Sequence, residues 1–161
     1  MDTLLPIAAH AGALLKARGE TIAVAESATG GLVSAALLAV PGASAFFLGG
    51  GVVYTRAART TLLGLPTATL KATPPASAEM AALLAQAGRE RLGATWGLGE
   101  AGAAGPTGNS YGHAAGHGVL AVAGPVCRSL TIETGDADRV ANMRMFSARL
   151  LTLLVECLEA A

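Results

Sequence analysis

The chain has 161 residues, the size of one ordinary domain, and its 11 basic and 11 acidic side chains balance to a formal net charge of zero. This balance argues against a protein that binds nucleic acid or an anionic membrane through bulk charge. Hydrophobic residues make up 52% of the chain and charged residues 14%, so a core can form and disorder is excluded over most of the chain. The two cysteines, Cys127 and Cys157, are expected to be buried and reduced in a cytoplasmic protein.

Helix and strand patterns alternate along the chain. Apolar periodicity and glycine stops predict helices over 4–18, 29–40, 56–63, 77–92 and from Asp136 or Asp138 to 158. Apolar runs predict strands over 21–25, 46–54, 96–101, 118–123 and 128–134, the last two joined as a hairpin at Gly124-Pro125. Residues 66–75 and the Gly-rich segment 102–116 are predicted to be loops. We therefore predict a single three-layer α/β domain over 1–161, with helices packed on a mixed β-sheet.

One uncharged stretch, residues 28–55, is long enough to cross a membrane. Pro41-Gly42 predicts a turn in its middle, so we interpret it as a buried helix, a turn and a buried strand. The N-terminus begins Met1-Asp2, which is acidic rather than basic and is not typical of a targeting signal. The sequence therefore predicts no membrane partner and no nucleic-acid partner.

Three segments carry groups that fit a binding or catalytic site. In the first, Glu26, Ser27, Thr29, Gly30 and Gly31 lie between a strand and a helix, where free N–H groups suit a phosphate or carboxylate. A plain N-cap with two glycines for close packing explains the same residues.

In the second segment, Ser44 follows a Pro-Gly turn, with Tyr54 and Arg59 after the next strand. A serine nucleophile needs a proton acceptor and oxyanion donors, but a simple turn serine is the alternative.

The third segment is the Gly-rich loop that contains Gly105. It lacks the lysine of a phosphate-binding P-loop, although it can pass close to a ligand. His113 and His117 lie in this loop rather than on a helix, and we expect no metal there. Glu100, a carboxylate in an apolar strand, is expected either to point outward or to line a cleft.

Taken together, these residues resemble the C-terminal domain of the CinA family, whose stand-alone members include nicotinamide mononucleotide amidases. The resemblance covers almost the whole chain. Its anchors are residues 25–31 for the family's AESCTGG, residues 41–44 for its PGxS, Gly50, Gly51 and Tyr54, Leu63-Gly64, residues 104–106 for its AGP, Gly118, and Gly135-Asp136.

The resemblance implies a cytoplasmic, homodimeric hydrolase that converts the carboxamide of a pyridine nucleotide to a carboxylate and ammonia, without a cofactor. It places Ser44 at the nucleophile position, Tyr54 as a supporting hydroxyl and Arg59 at the position of the base. The family has lysine there, and arginine does not lose its proton near neutral pH. Other polar positions of the family fall on Ala28, Ala101, Ala137 and Ala141, where Arg144 would compensate in part as a ligand-binding residue.

These departures leave three hypotheses open. The first is an amidase acting on nicotinamide mononucleotide or a related pyridine nucleotide. The second is a non-catalytic relative with a degenerate active site that binds a nucleotide or a partner protein. The third is a different hydrolysis in the same pocket, with Glu100 or a loop histidine as base.

Overall fold

The computed structural model describes all 161 residues. Its elements in chain order are α1 (Leu5–Arg18), β1 (Ile22–Glu26), α2 (Leu32–Leu38), a 3₁₀ turn (Ala43–Ala45), β2 (Phe47–Val52), α3 (Arg56–Leu63), α4 (Thr67–Ala72), α5 (Ala78–Leu92), β3 (Trp96–Ala103), β4 (His117–Ala123), β5 (Arg128–Glu133) and α6 (Arg139–Ala160).

The five strands form one mixed sheet in the order β2-β1-β3-β4-β5. Strand β1 pairs in parallel with β2 and with β3, while β3, β4 and β5 pair antiparallel. The predicted hairpin is therefore the β4–β5 pair. Because the three parallel strands end at the same edge, the residues that follow β1 and β2 meet the end of β3, where α/β sheets commonly bind ligands.

Two apolar cores cover the two faces of this sheet. Helices α1, α2 and α6 enclose one core around Trp96, Phe46 and Phe146. Helix α5 closes the other against small side chains, with Leu70 of α4 beside it. A Cβ built on Gly99 of β3 would lie 2.1 Å from the carbonyl oxygen of Ala81, so glycine is what lets α5 approach β3 so closely. The predicted three-layer α/β architecture is confirmed.

Capping chemistry explains the helix ends that the sequence predicted well. Ser77 accepts a hydrogen bond from the Met80 N–H at 3.1 Å, and Asp138 accepts one from the Ala141 N–H at 3.0 Å, so both residues are N-caps. Helices α1, α3 and α5 each end at a glycine with a positive φ between 63° and 70°. Helix α6 thus begins after Asp138 rather than after Asp136.

Several local expectations were wrong. The predicted loop 66–75 contains α4, a helix of one and a half turns. Helix α2 begins three residues late, because Gly30 and Gly31 both have positive φ. Strand β2 lies at the edge of the sheet and exposes alternate residues instead of being buried. Cys127 is exposed, whereas Cys157 is buried as expected. No helix is both long and apolar enough to cross a membrane.

Candidate functional site

The connection between β1 and α2 is built around the buried carboxylate of Glu26. One oxygen of Glu26 accepts hydrogen bonds from the N–H groups of Gly31 and Val33, at 3.0 and 3.1 Å. The other accepts from the Ser34 N–H at 2.8 Å and from the Ser34 hydroxyl at 2.6 Å. Glu26 therefore satisfies the free donors of the α2 N-terminus from within the chain. The expected anion site at this helix start is wrong, because Glu26 itself occupies it.

A second carboxylate, Glu100 of β3, lies beneath the same connection. Its Oε2 accepts hydrogen bonds from the N–H groups of Ser27 and Thr29, at 3.0 and 2.9 Å. The Thr29 hydroxyl lies 2.9 Å from Oε2 of Glu100 and 2.9 Å from Oε2 of Glu26, so it links the two carboxyl groups. Glu100 has no exposed surface, and its Oε1 has no partner. Both expectations for Glu100, an outward-facing residue or a cleft-lining one, were wrong.

Burial raises the pKa of Glu100 above its usual range. The hydrogen bonds from Thr29 and Ser27 oppose this shift, and the neighbouring charge of Glu26 adds to it. What the two carboxyl groups achieve is structural. Their hydrogen bonds fix the main chain of residues 26–34 and leave the side chain of Ser27 to line a cleft.

The cleft lies at the carboxyl edge of the parallel strands and has a volume of about 470 Å³. Ser27 follows β1, while Tyr54, Arg56 and Arg59 come from the end of β2 and from α3; Ala101 belongs to β3. Helix α3 starts at Thr55, whose hydroxyl accepts a hydrogen bond from the Ala58 N–H at 3.1 Å. This cap places Arg59 one turn into the helix, over the opening of the cleft.

The Arg59 guanidinium is held by two hydrogen bonds. Its Nε donates to the carbonyl oxygen of Val53 at 3.1 Å, and its Nη2 donates to the Ser27 hydroxyl at 3.4 Å. Partial burial lowers the pKa of Arg59 below its ordinary value, and the charge of Glu100 opposes this shift. A guanidinium nevertheless keeps its proton at physiological pH, so Arg59 presents only donors to Ser27.

A smaller cavity of about 240 Å³ adjoins the cleft and shares Tyr54, Gly102 and Asn109 with it. Gly105 of the Gly-rich loop lines this cavity. Arg139, the first residue of α6, lines it too and donates from Nη1 to the Gly105 carbonyl oxygen at 2.6 Å. Arg139 was not among the predicted site residues. A basic residue directly after the Asp138 N-cap was the available signal, because the first turn of α6 faces the Gly-rich loop.

Arg144, which was expected to compensate for lost family residues, is exposed on α6 and lines neither cavity. Gly30 and Gly31 also line neither cavity, and they serve the turn into α2. The expected ligand contacts of Arg144, Gly30 and Gly31 are therefore not found.

Ser44 lies at the opposite end of the sheet. It belongs to the 3₁₀ turn that precedes β2, whereas Tyr54 and Arg59 follow β2. Six strand residues at about 3.3 Å each separate the two ends by roughly 20 Å. Ser44 is exposed and lines neither cavity. The expectation that Ser44 acts as a nucleophile beside Tyr54 and Arg59 is wrong, and Ser27 is the serine that Arg59 contacts.

His113 of the Gly-rich loop and His117, which is the first residue of β4 and not a loop residue as expected, support the cleft wall. Their rings stack with centroids 3.9 Å apart. His117 contacts the Glu133 carboxylate through Nδ1 and the Ala76 carbonyl oxygen, at 2.8 Å, through Nε2. Neither ring nitrogen of His117 is therefore free to take a proton from a ligand. The protein contains no cluster of side chains suited to hold a metal ion.

A family model for the CinA C-terminal domain matches residues 5–158, nearly the whole of the fold just described. The chain belongs to the CinA family. The expected resemblance is thereby confirmed, and the cleft between Ser27, Arg59 and Arg139 is the candidate site of a CinA C-terminal domain.

Relatives and solved structures agree with this assignment. A CinA-like protein of Anaeromyxobacter sp. (strain K) is 43% identical over 138 residues, which are 84% of this chain and 34% of that protein. A CinA-like protein of Prochlorococcus marinus (strain MIT 9313) is 46% identical over 112 residues, 70% of this chain and 26% of that protein. The chain thus spans about a third or less of the length of these relatives.

Among solved structures, a CinA superfamily protein from Klebsiella pneumoniae 700603 superposes with a TM-score of 0.91. It shares 24% identity, and the match covers 98% of this chain and 99% of that chain, so it supports the fold alone. The competence/damage inducible protein CihA from Agrobacterium tumefaciens gives a TM-score of 0.82 at 28% identity, over 98% of this chain and 93% of that chain.

Proposed function

We propose that this CinA domain binds a pyridine mononucleotide in the cleft and its adjoining cavity, and that it hydrolyses the carboxamide weakly or not at all. The family resemblance supports the ligand class. The cleft supports it as well, because two adjoining cavities of about 470 and 240 Å³ have room for a base, a ribose and a phosphate. Arg56 and Arg139 supply positive charge for the phosphate.

The contact between Arg59 and Ser27 carries the proposal of weak hydrolysis. A serine attacks a carboxamide only if a neighbouring group takes its proton. Arg59 is the side chain that contacts the Ser27 hydroxyl, and it donates a hydrogen bond instead of accepting one. General base catalysis typically contributes about a hundred- to ten-thousand-fold to the rate, and this arrangement forgoes it.

A different hydrolysis in the same pocket has less support. Glu100 has no exposed surface, so a substrate cannot reach it. Both nitrogens of His117 already contact oxygen atoms of the protein. Half-buried His113 uses Nδ1 toward the Asn109 amide and lines neither cavity. The replacement bases considered from the sequence, Glu100 and the two histidines, are thus all held in contacts within the protein.

Self-association is a separate part of the proposal. Strand β2 leaves one edge of the sheet unpaired, and exposed apolar side chains surround it, including Leu48, Val52, Leu62 and Leu92. Such an edge favours pairing with another chain. We propose a homodimer, which sedimentation equilibrium of the purified protein would test by its mass.

Two measurements on purified protein test the proposed function. Isothermal titration calorimetry with nicotinamide mononucleotide and nicotinate mononucleotide should detect binding of at least one of them. Ammonia release from nicotinamide mononucleotide should be absent or far below the ten turnovers per second that are typical of enzymes. Turnover near that rate would show that another group acts as base. The absence of binding by either nucleotide would remove the pyridine-nucleotide assignment and favour a partner-binding role.

A further inference from the structure

The cleft contains cations that the protein does not neutralise. Four ion pairs occur in the chain, and none includes Arg56, Arg59 or Arg139. Arg56 and Arg139 are exposed to solvent, whereas Arg59 is partly buried, and a partly buried guanidinium without an acidic partner is costly unless a ligand supplies the anion. The acidic group whose charge reaches Arg59 is Glu100, which lies sealed beneath the β1–α2 connection. The cleft is therefore prepared for an anion from outside.

Arg59 and Ser27 together present hydrogen-bond donors. Arg59 uses two of the five N–H groups of a guanidinium, toward Val53 and Ser27, which leaves three for a ligand. The Ser27 oxygen accepts from Arg59, and no protein group accepts the Ser27 hydroxyl proton. That proton is thus available to a ligand beside the guanidinium.

The side-chain amide that lines the cleft does not supply the missing acceptor. Asn109 lines the cleft, but its Oδ1 already accepts hydrogen bonds from the N–H groups of Tyr111 and His113, both at 3.1 Å. A carboxamide bound against Arg59 offers a single acceptor oxygen, and its NH₂ group would lie beside the N–H donors of the guanidinium. A carboxylate has two acceptor oxygens and matches a guanidinium and a hydroxyl.

We propose that Arg59 and Ser27 form a carboxylate-binding subsite, so that the cleft selects an aromatic carboxylate over the matching carboxamide. This rests on the proposed function, under which the preferred ligand is the acid form of the pyridine mononucleotide. Ser27 then acts as a hydrogen-bond donor to the ligand. The cleft of this CinA domain is accordingly a site that retains or senses an acid.

Calorimetry with a matched pair of ligands tests the subsite, since nicotinate and nicotinamide mononucleotide differ only in the carboxylate and the carboxamide. We expect the acid to bind about ten- to a hundredfold more tightly, the range of a charge-assisted hydrogen-bond pair. Equal affinities, or tighter binding of the amide, would overturn the subsite and leave the proposed function standing. If neither nucleotide binds, the proposed function falls and the subsite falls with it.

Variants separate a carboxylate contact from a phosphate contact. Arg59→Gln should remove most of the preference for the acid while the amide binds nearly as before. Loss of both nucleotides to the same extent would assign Arg59 to the shared phosphate and overturn the proposal. Arg149→Gln is the matched control, because it makes the same charge change at an exposed position of α6 outside the cleft. Arg59→Lys, which keeps the charge, should retain part of the preference even if the glutamine variant is unstable.

Discussion

Replacing Arg59 with lysine should give this domain measurable amidase activity. Lysine can become a neutral amine in a partly dry site, whereas the guanidinium cannot. The Arg59 Nη2 lies 3.4 Å from the Ser27 hydroxyl. Lysine ends one bond earlier, about 1.3 Å short of that atom, so its amine reaches Ser27 only after a small adjustment of the side chain. We therefore expect the lower part of the range for general base catalysis, about a hundredfold over the wild-type rate of ammonia release.

A pair of serine variants identifies the nucleophile in this experiment. Arg59→Lys with Ser27→Ala should lose the gained activity, because Ser27 is the hydroxyl beside residue 59. Arg59→Lys with Ser44→Ala should keep it, because Ser44 lies at the far end of β2. The reasoning is refuted if the single variant binds nicotinamide mononucleotide and releases no ammonia above background. It is also refuted if loss of Ser44, and not of Ser27, abolishes the gain.

Two further predictions concern the scaffold beneath the cleft. Because burial raises the pKa of Glu100, the folded state keeps the proton of this carboxyl group to a higher pH than the unfolded state does. Its ionisation therefore lowers the free energy of unfolding as the pH rises, by at most about 1.4 kcal/mol per pH unit. Glu100→Gln should therefore gain stability relative to the wild type as the pH rises above about 4.5, the ordinary pKa of a glutamic acid. Urea titrations at several pH values test this, and parallel pH profiles of the two proteins would contradict it. Gly99→Ala should destabilise the fold by about 1–3 kcal/mol or prevent folding, because the new Cβ meets the Ala81 carbonyl oxygen at 2.1 Å. Gly51→Ala is the control, because its Cβ meets nothing closer than 3.8 Å, and it should lower the free energy of unfolding far less. Thermal melts of both variants test this, and equal losses of stability would disprove the close-packing explanation.

The elements that the sequence predicted well are those with local signals. Ser77 and Asp138 cap their helices through residues three positions away, and Gly19, Gly64 and Gly93 end helices at their own backbone. Helix α4 was missed because it is short, and because its N-cap position holds Pro66, which offers no side-chain acceptor. The start of α2 was misplaced because its cap, Glu26, lies six residues upstream and reaches the helix only through the folded loop.

The role of Glu100 could not be predicted from the sequence for a different reason. Its partners, Ser27 and Thr29, lie more than 70 residues away in the chain and meet it only after β1 and β3 pair. The placement of Ser44, in contrast, followed from elements that were already predicted. In a parallel pair, a residue that precedes one strand and a residue that follows its neighbour lie at opposite ends. Once β1 and β2 are parallel, Ser44 and Ser27 cannot share a cleft.

The buried carboxyl groups also explain how the cleft keeps its shape without the family's lysine. Glu26 holds the start of α2 and Glu100 holds the N–H groups of Ser27 and Thr29, so the position of Ser27 depends on groups below the loop and not on residue 59. A change at position 59 therefore alters the chemistry offered to a ligand while the serine stays in place. With arginine at position 59, the Ser27 hydroxyl, which would need a proton acceptor for catalysis, lies beside a second hydrogen-bond donor. Under the proposed function, this scaffold with a donor in place of the base serves binding rather than turnover.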